Sequence, residues 1–193
     1  MTVTARAPAV AGQFYPADPV VLMNLVDSLL AAVPPDPARV PAAGYVVPHA
    51  GYRYSGATAA CAYADLRRGD PVRRIVLIGP AHFVPVVGCA LSSAAQWHTP
   101  LGAVPLDLAG RMALVRAGLA VVDDAAHAPE HSLEVQLPFL QRALDPTPPI
   151  LPMVVGPIPF AYNIDGHLRP GHRLDRALRW HLPFGSRTAE PES

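Results

Sequence analysis

Short apolar runs that stop at Pro or Gly alternate along this chain with stretches of helical period. That alternation points to an α/β layer fold, a mixed or parallel sheet flanked by helices. Tyr45-Val46-Val47 reads as a short buried strand closed by Pro48, and Ile75-Val76-Leu77-Ile78 as a second ending at Gly79-Pro80. Val87 to Leu91, Leu119 to Val122 and Ile150 to Val155 supply three more. Asp18 followed by Pro19 reads as a helix N-cap and first helical position. Leu22, Leu25, Val26, Leu29, Leu30 and Val33 then recur with helical spacing until Pro34-Pro35 stops the helix. Ala57 to Leu66 is a small-residue helix with Ser55 as its cap, and Asp107 caps another to Ala117, with Gly118 just beyond its end. Ser132 caps a helix from Leu133 with Glu134 in its first turn, and Pro138 has to kink or split it.

Of 193 residues, 51% are hydrophobic and 16% charged, enough apolar material for a core. The fifteen basic residues balance the fifteen acidic ones, so binding to nucleic acid through a general basic excess is not expected. All fifteen are Arg; without a single Lys there is no Schiff-base lysine, no pyridoxal phosphate anchor, and no P-loop or protein-kinase lysine. Cys61 and Cys89 match no zinc motif or disulfide framework, and Cys61 on its alanine-rich helix reads as a packed core thiol. No apolar run is long enough to span a membrane and the start has no signal-peptide pattern, so a cytoplasmic protein is expected. A serine-hydrolase elbow, a His-Glu-x-x-His zinc motif and a dinucleotide-binding fingerprint are all missing.

Eight histidines remain as the places to look for chemistry. His49 directly follows the Tyr45–Pro48 strand, and His82 lies just beyond the strand that begins at Ile75. Loops at the carboxyl ends of strands form the ligand crevice of α/β sheets. Two imidazoles delivered there make half of a site for iron, zinc or copper. Gly51 and Gly56 allow close backbone approach. Tyr52, Tyr54 and Ser55 offer hydroxyls to the crevice, with amphipathic packing as the alternative for the tyrosines. His127, Glu130 and His131 form a second polar cluster. Its carboxylate can orient a ligand histidine, complete a coordination sphere or act as acid/base, or the cluster is a solvated helix start. Trp97 to Gly102 reads as a turn with an aromatic wall, and His98 as structural or exposed.

Five segments together carry a resemblance. They are Val10-Ala11-Gly12-Gln13-Phe14-Tyr15-Pro16; Pro48-His49-Ala50-Gly51-Tyr52 continuing to Tyr54-Ser55-Gly56; Gly79-Pro80-Ala81-His82; Trp97 through Thr99-Pro100-Leu101-Gly102; and Glu130-His131-Ser132-Leu133-Glu134-Val135-Gln136-Leu137-Pro138-Phe139-Leu140. In this order, over about residues 8–156, they resemble the Memo-like protein family, whose prokaryotic members are called AmmeMemoRadiSam system protein B. The resemblance implies a fold related to the class III extradiol, LigB-like non-haem iron dioxygenases. It implies that His49 and His82 line the metal crevice, with iron foremost and copper or zinc as alternatives. It also implies redox chemistry, an AMMECR-type domain and a radical-SAM protein as partners, and, from animal members, phosphotyrosine-segment binding. From the residues themselves, His131 and Glu130 are candidates for catalysis, and His131 is the nearest candidate by chemistry for a third ligand, although the resemblance does not make it one. Tyr52, Arg53, Tyr54, Ser55, Trp97 and His127 are candidates to contact a small molecule or peptide.

After Gly156 the pattern departs from the family. A further strand with a Ser-Ser-Asp-type motif and a later Cys are expected there, and neither follows. Residues 157–193 instead carry five Arg, three His and five Pro, with a short helix suggested near Leu174 to Trp180. The expected organisation is a Memo-like domain over 1–156, lacking the C-terminal part of the fold, and an irregular tail over 157–193. The tail is expected to stem from a shifted reading frame or early termination, the alternative being a short member in which His167 or His172 replaces lost ligands. With two ligands and no third assigned, weak metal binding is the expectation. A non-enzymatic module binding a phosphopeptide or small anion through Arg53, and an inactive truncated product with an open sheet edge, are the other readings.

Overall fold

The computed structural model describes residues 4–36, 38 and 42–156; the helix expected near Leu174 and the candidates His167 and His172 lie outside the described residues. Chain order runs β1 (Ala5–Arg6), α1 (Pro19–Ala31), α2 (Tyr52–Leu66), β2 (Ile75–Pro80), β3 (Cys89–Leu91), β4 (Gln96–Thr99), β5 (Gly102–Pro105), α3 (Leu108–Arg116), β6 (Val121–Val122), α4 (Asp124–His127), a 3-10 turn (Glu134–Gln136), α5 (Leu137–Ala143) and β7 (Ile150–Val155). The main sheet has the order β2-β7-β3-β6 and is mixed: β2 runs parallel to β7, β7 antiparallel to β3, and β3 parallel to β6. A second sheet, β1-β4-β5, joins the N-terminal strand in parallel to the Gln96–Pro105 hairpin. The fold is α/β with mixed sheets and flanking helices.

Helix α1 forms where its sequence says. Asp18 accepts from the Val20 and Val21 amides at 2.9 Å each, and Leu22, Val26 and Leu30 bury one stripe. A cap of this kind is worth about 1 kcal/mol. Helix α2 lies against α1 so closely that a Cβ on Gly56 would come 3.0 Å from Leu29 Cδ1. Helix α5 completes this layer, tied to α1 by the paired bonds of Arg142 to Asp27, 2.8 Å each. Pro138 falls in the first turn of α5, where a missing N–H costs nothing, so the expected break comes just ahead of it as the 3-10 turn.

The two faces of β7 divide the interior. Ile150 and Val154 enter the larger core with the helical layer, whereas Leu151, Met153 and Val155 pack with Cys89, Leu91, Ala120 and Leu114 of α3. Alternate residues of a strand point to opposite faces, so the split follows from β7 being covered on both sides.

Several expectations are corrected. Tyr45-Val46-Val47 is an extended segment outside both sheets, with Val46 fully exposed, because no strand lies beside it among the described residues. Helix α2 starts at Tyr52 after a Gly51 cap, and Ser55, one turn inside, donates its hydroxyl to the Ala50 carbonyl at 2.8 Å. Ser132 caps nothing; its hydroxyl donates to the Pro80 carbonyl. Trp97 to Gly102 is the hinge of a hairpin with Trp97 in the core. Cys61 is exposed and Cys89 is the buried thiol, because α2 turns Cys61 away from α1 and α5.

Candidate metal centre

Three segments deliver one imidazole each. His49 sits in the loop entering α2, a loop held by the Tyr52 amide bonding to the Phe14 carbonyl at 2.8 Å and by the Ser55 hydroxyl. His82 stands two residues beyond β2, where the Ala81 amide still reaches the Val155 carbonyl of β7. His131 lies in the loop between α4 and the 3-10 turn. The ring centroids of His49 and His82 are 5.2 Å apart, those of His82 and His131 4.6 Å, and those of His49 and His131 5.9 Å. One ligating nitrogen from each falls within 4.8 Å of the other two.

Glu130 organises this cluster. Its Oε1 lies 2.9 Å from His82 Nδ1 and accepts the His131 and Ser132 amides at 2.9 Å each; its Oε2 accepts the His82 amide at 2.7 Å. Burial alone would raise its pKa, but the bonds from His82 and Ser132 outweigh that and hold it at about 2. An ionised carboxylate on Nδ1 fixes the tautomer of His82 and leaves Nε2 for a ligand. His131 Nδ1 is buried 3.5 Å from Glu130 Oε1 without a hydrogen bond. Burial, then the neighbouring imidazoles, lowers the pKa of His131; burial and the neighbouring His82 ring do the same at His49, against an opposing pull from Glu130 in each case. Neutral imidazole is the form that ligates metals.

An open cleft of about 780 Å³ adjoins the cluster, lined by Phe14, Val46, Val47 and Tyr54 together with His49 and His131. Phe14 packs on the His131 ring at 4.5 Å. Tyr54 and His49 therefore stand at the cleft as the sequence suggested. Four other candidates do not reach it, and Arg53, exposed on α2, is not in its wall either. Tyr52 is core, its hydroxyl donating to the Val135 carbonyl at 2.7 Å and its ring against Phe139. Ser55 braces the loop from behind. Trp97 is 1% exposed under the Arg6 guanidinium, which lies 4.5 Å above its ring. His127 is equally buried, with Nε2 bonded to the Ala90 carbonyl at 3.1 Å. The aromatic bodies of Tyr52 and Trp97, each with one polar atom, are as well satisfied inside a core as in a crevice, whereas His127 keeps a buried Nδ1 with no hydrogen-bond partner.

Two residues that sequence reasoning passed over hold the site's floor. Glu134, fully buried, accepts from Arg6 Nη1 at 2.7 Å, the Ala9 and Val10 amides at 2.8 and 3.0 Å, and the Tyr15 hydroxyl at 2.6 Å. Arg6 also donates to the carbonyls of His127 and Glu130 at 2.9 and 2.8 Å. Together they pin the loop carrying Glu130 and His131 to the N-terminal segment. Glu134 looks like a first-turn acid complementing a helix dipole, and only the distant Arg6 and Tyr15 reveal its other task.

The fold and the cluster define an α/β protein whose crevice gathers three imidazoles around one point. The sequence profile described as Memo-like protein matches residues 6–162, and the chain belongs to that family. A MEMO1 family protein of Aeropyrum pernix is 41% identical over 160 residues, covering 78% of this chain and 57% of the relative. Those of Methanopyrus kandleri and Aquifex aeolicus are each 42% identical, over 146 and 150 residues, with 51% and 54% of their lengths covered. The chain thus spans just over half the length of these curated relatives. No helix among the described residues is long and apolar enough to cross a membrane.

Proposed function

We propose that His49, His82 and His131 hold a single non-haem metal ion, and that the adjoining cleft presents a small molecule with an apolar or aromatic body to it. The observation that carries this reading is the convergence of three imidazoles from three separate segments, one with a buried nitrogen lacking a partner. His131, a candidate for catalysis on sequence grounds, is used here as the third ligand, so the proposal replaces the weak two-ligand binding expected from the sequence with a three-histidine set.

Iron is the proposed occupant, with copper or zinc as alternatives; such an ion supplies Lewis acidity and, for iron or copper, redox capacity. The chain's own contribution is orientation. Glu130 holds the Nδ1 proton of His82 and the two amides ahead of the 3-10 turn, and Phe14 buttresses His131 and excludes water from one side. The family resemblance supports a dioxygenase-like fold and chemistry, in association with AMMECR-type and radical-SAM proteins, and these remain part of the proposal.

The test is metal titration of stripped protein by calorimetry and elemental analysis. One ion per chain is expected, with each of His49→Ala, His82→Ala and His131→Ala weakening it at least tenfold. Uptake unaffected by all three substitutions would remove the site.

A further inference from the structure

The imidazoles of His82 and His131 are not fixed in the same way. His82, the most exposed of the three, has its Nδ1 held by Glu130 Oε1 at 2.9 Å and its amide by Oε2 at 2.7 Å. His131 is buried, yet its Nδ1 has no hydrogen-bond partner and lies 3.5 Å from Glu130 Oε1. That oxygen already serves His82 Nδ1 and the His131 and Ser132 amides, which leaves it no lone pair for a further donor. A histidine that ligates a metal ordinarily has its other ring nitrogen bonded to a carboxylate or carbonyl, which sets the angle of the ring. Among the described residues no such group is bonded to the His131 ring. Aromatic packing surrounds it instead. The Phe14 ring lies 4.5 Å away, tilted by 45°, and the Phe83 ring 5.7 Å away, edge-on at 71°. Tilted and edge-on contacts at about 4.5–7 Å are the favourable arrangements of aromatic rings. Both phenyl rings stand on fixed supports. Phe14 rides on a turn closed by its own amide to the Val10 carbonyl at 2.9 Å, and Glu134 Oε1 holds both ends of that turn through the Val10 amide and the Tyr15 hydroxyl. Phe83 directly follows His82, whose amide Glu130 holds.

We infer that Phe14 and Phe83 are positioning residues for His131, doing by ring packing what Glu130 does for His82 by hydrogen bonding. The effect on metal affinity rests on the three-histidine reading above; the packing itself does not. A ring held by a hydrogen bond keeps its angle when an aromatic neighbour is replaced, whereas a ring held by packing is released. Leucine keeps apolar bulk but offers no flat face, so Phe14→Leu and Phe83→Leu each free the His131 ring with little change to the fold. Phe83 is the cleaner position of the two, because it is 56% exposed and outside the lining of the cleft, so its replacement leaves the cleft wall intact.

The experiment follows the full chain without metal and then with Cu(II). In metal-free protein, NMR couplings that report χ1 should show one His131 rotamer in the wild type and in Phe83→Tyr, and averaging in both leucine variants, while His82 keeps one rotamer throughout. On titration with Cu(II), each leucine variant should bind about tenfold more weakly than the wild type, the lower end of the loss when a group that orients a ligand histidine is removed, with Phe83→Tyr close to the wild type. In a His131→Ala background, Phe83→Leu should weaken binding no further, because its effect passes through that ring. A single His131 rotamer in both leucine variants would overturn the proposal, and so would an equal loss from Phe83→Leu with the His131 ring absent. A wild type that takes up no Cu(II) would remove the metal reading alone, since the couplings decide the packing without it.

Discussion

Glu134→Gln should be among the most damaging single-atom changes this chain can undergo. The carboxylate has no solvent exposure and four donors divided evenly between its oxygens: Arg6 Nη1 and the Ala9 amide on Oε2, the Val10 amide and the Tyr15 hydroxyl on Oε1. A glutamine must turn its NH2 towards one pair. Facing Oε2's donors, it meets a guanidinium and an amide that can only donate. Facing Oε1's, Tyr15 can reverse and accept, but the Val10 amide is orphaned, at about 1–3 kcal/mol. In either orientation Arg6, whose side chain is 8% exposed, loses its counter-charge. Breaking a buried pair by removing one partner costs about 3–5 kcal/mol. These costs overlap, so the expected loss is about 3–5 kcal/mol out of the roughly 5–15 kcal/mol that holds a domain folded. The assay is urea unfolding of metal-stripped protein at neutral pH, read as a lower midpoint at unchanged slope. Adding Arg6→Leu should return part of the loss, because the stranded charge goes with it. A loss below about 1 kcal/mol would refute the argument that this pair anchors the His131 loop to the N-terminal segment.

The remaining predictions concern the histidine cluster. Glu130→Gln should weaken metal binding about 10- to 100-fold, the usual cost of removing a carboxylate that orients a ligand histidine, and calorimetric titration measures it. Because Glu130 is held at about 2, below the 4.5 it has when unfolded, the stability it contributes is complete above 4.5 and is lost as pH falls towards 2; acid unfolding of the wild type should therefore converge on that of Glu130→Gln in this window. His49 and His131 have folded pKa values lowered below 6.5, so the unfolded chain takes up more protons beneath that pH and metal-free protein should lose stability as pH drops through it; a stability curve flat from pH 7 to 5 would contradict the lowered values. Gly79→Ala places a Cβ 2.7 Å from Ser132 Oγ and 2.8 Å from Leu133 Cδ2, and should cost about 1–3 kcal/mol by overpacking while weakening metal uptake, since β2 and the His131 loop meet there.

What was legible in the sequence, and what was not, divides along a physical line. Elements specified by their own residues appear where expected: α1 between its Asp18 cap and Pro34, β7 over Ile150–Val155, and the break ahead of Pro138. Elements that need a partner are less secure. The Tyr45–Val47 segment has strand composition, but a strand exists only when a neighbour accepts its hydrogen bonds, and composition says nothing of the neighbour. The same distinction runs through the site. That His82 leaves the carboxyl end of β2 follows from the alternation of elements, whereas His49 follows a segment that joins neither sheet and enters α2. Whether Tyr52, Trp97 and His127 face a crevice or the core depends on what packs against them.

Arg6 and Glu134 are the extreme case, because 128 positions separate them and neither residue is unusual where it stands. Their pairing matters most for the chemistry, however, because Glu130 and His131 sit on an irregular loop that no ladder or helix holds. The loop that carries the proposed third ligand has to be fixed to about the tolerance of a coordination bond, and here that rigidity comes from one buried carboxylate with four donors and one guanidinium that donates to backbone carbonyls and to that acid. Local signals singled out His49 and His82 as a pair. His131 is fixed beside them by long-range polar contacts, which is why its place at the centre emerges only from the folded chain.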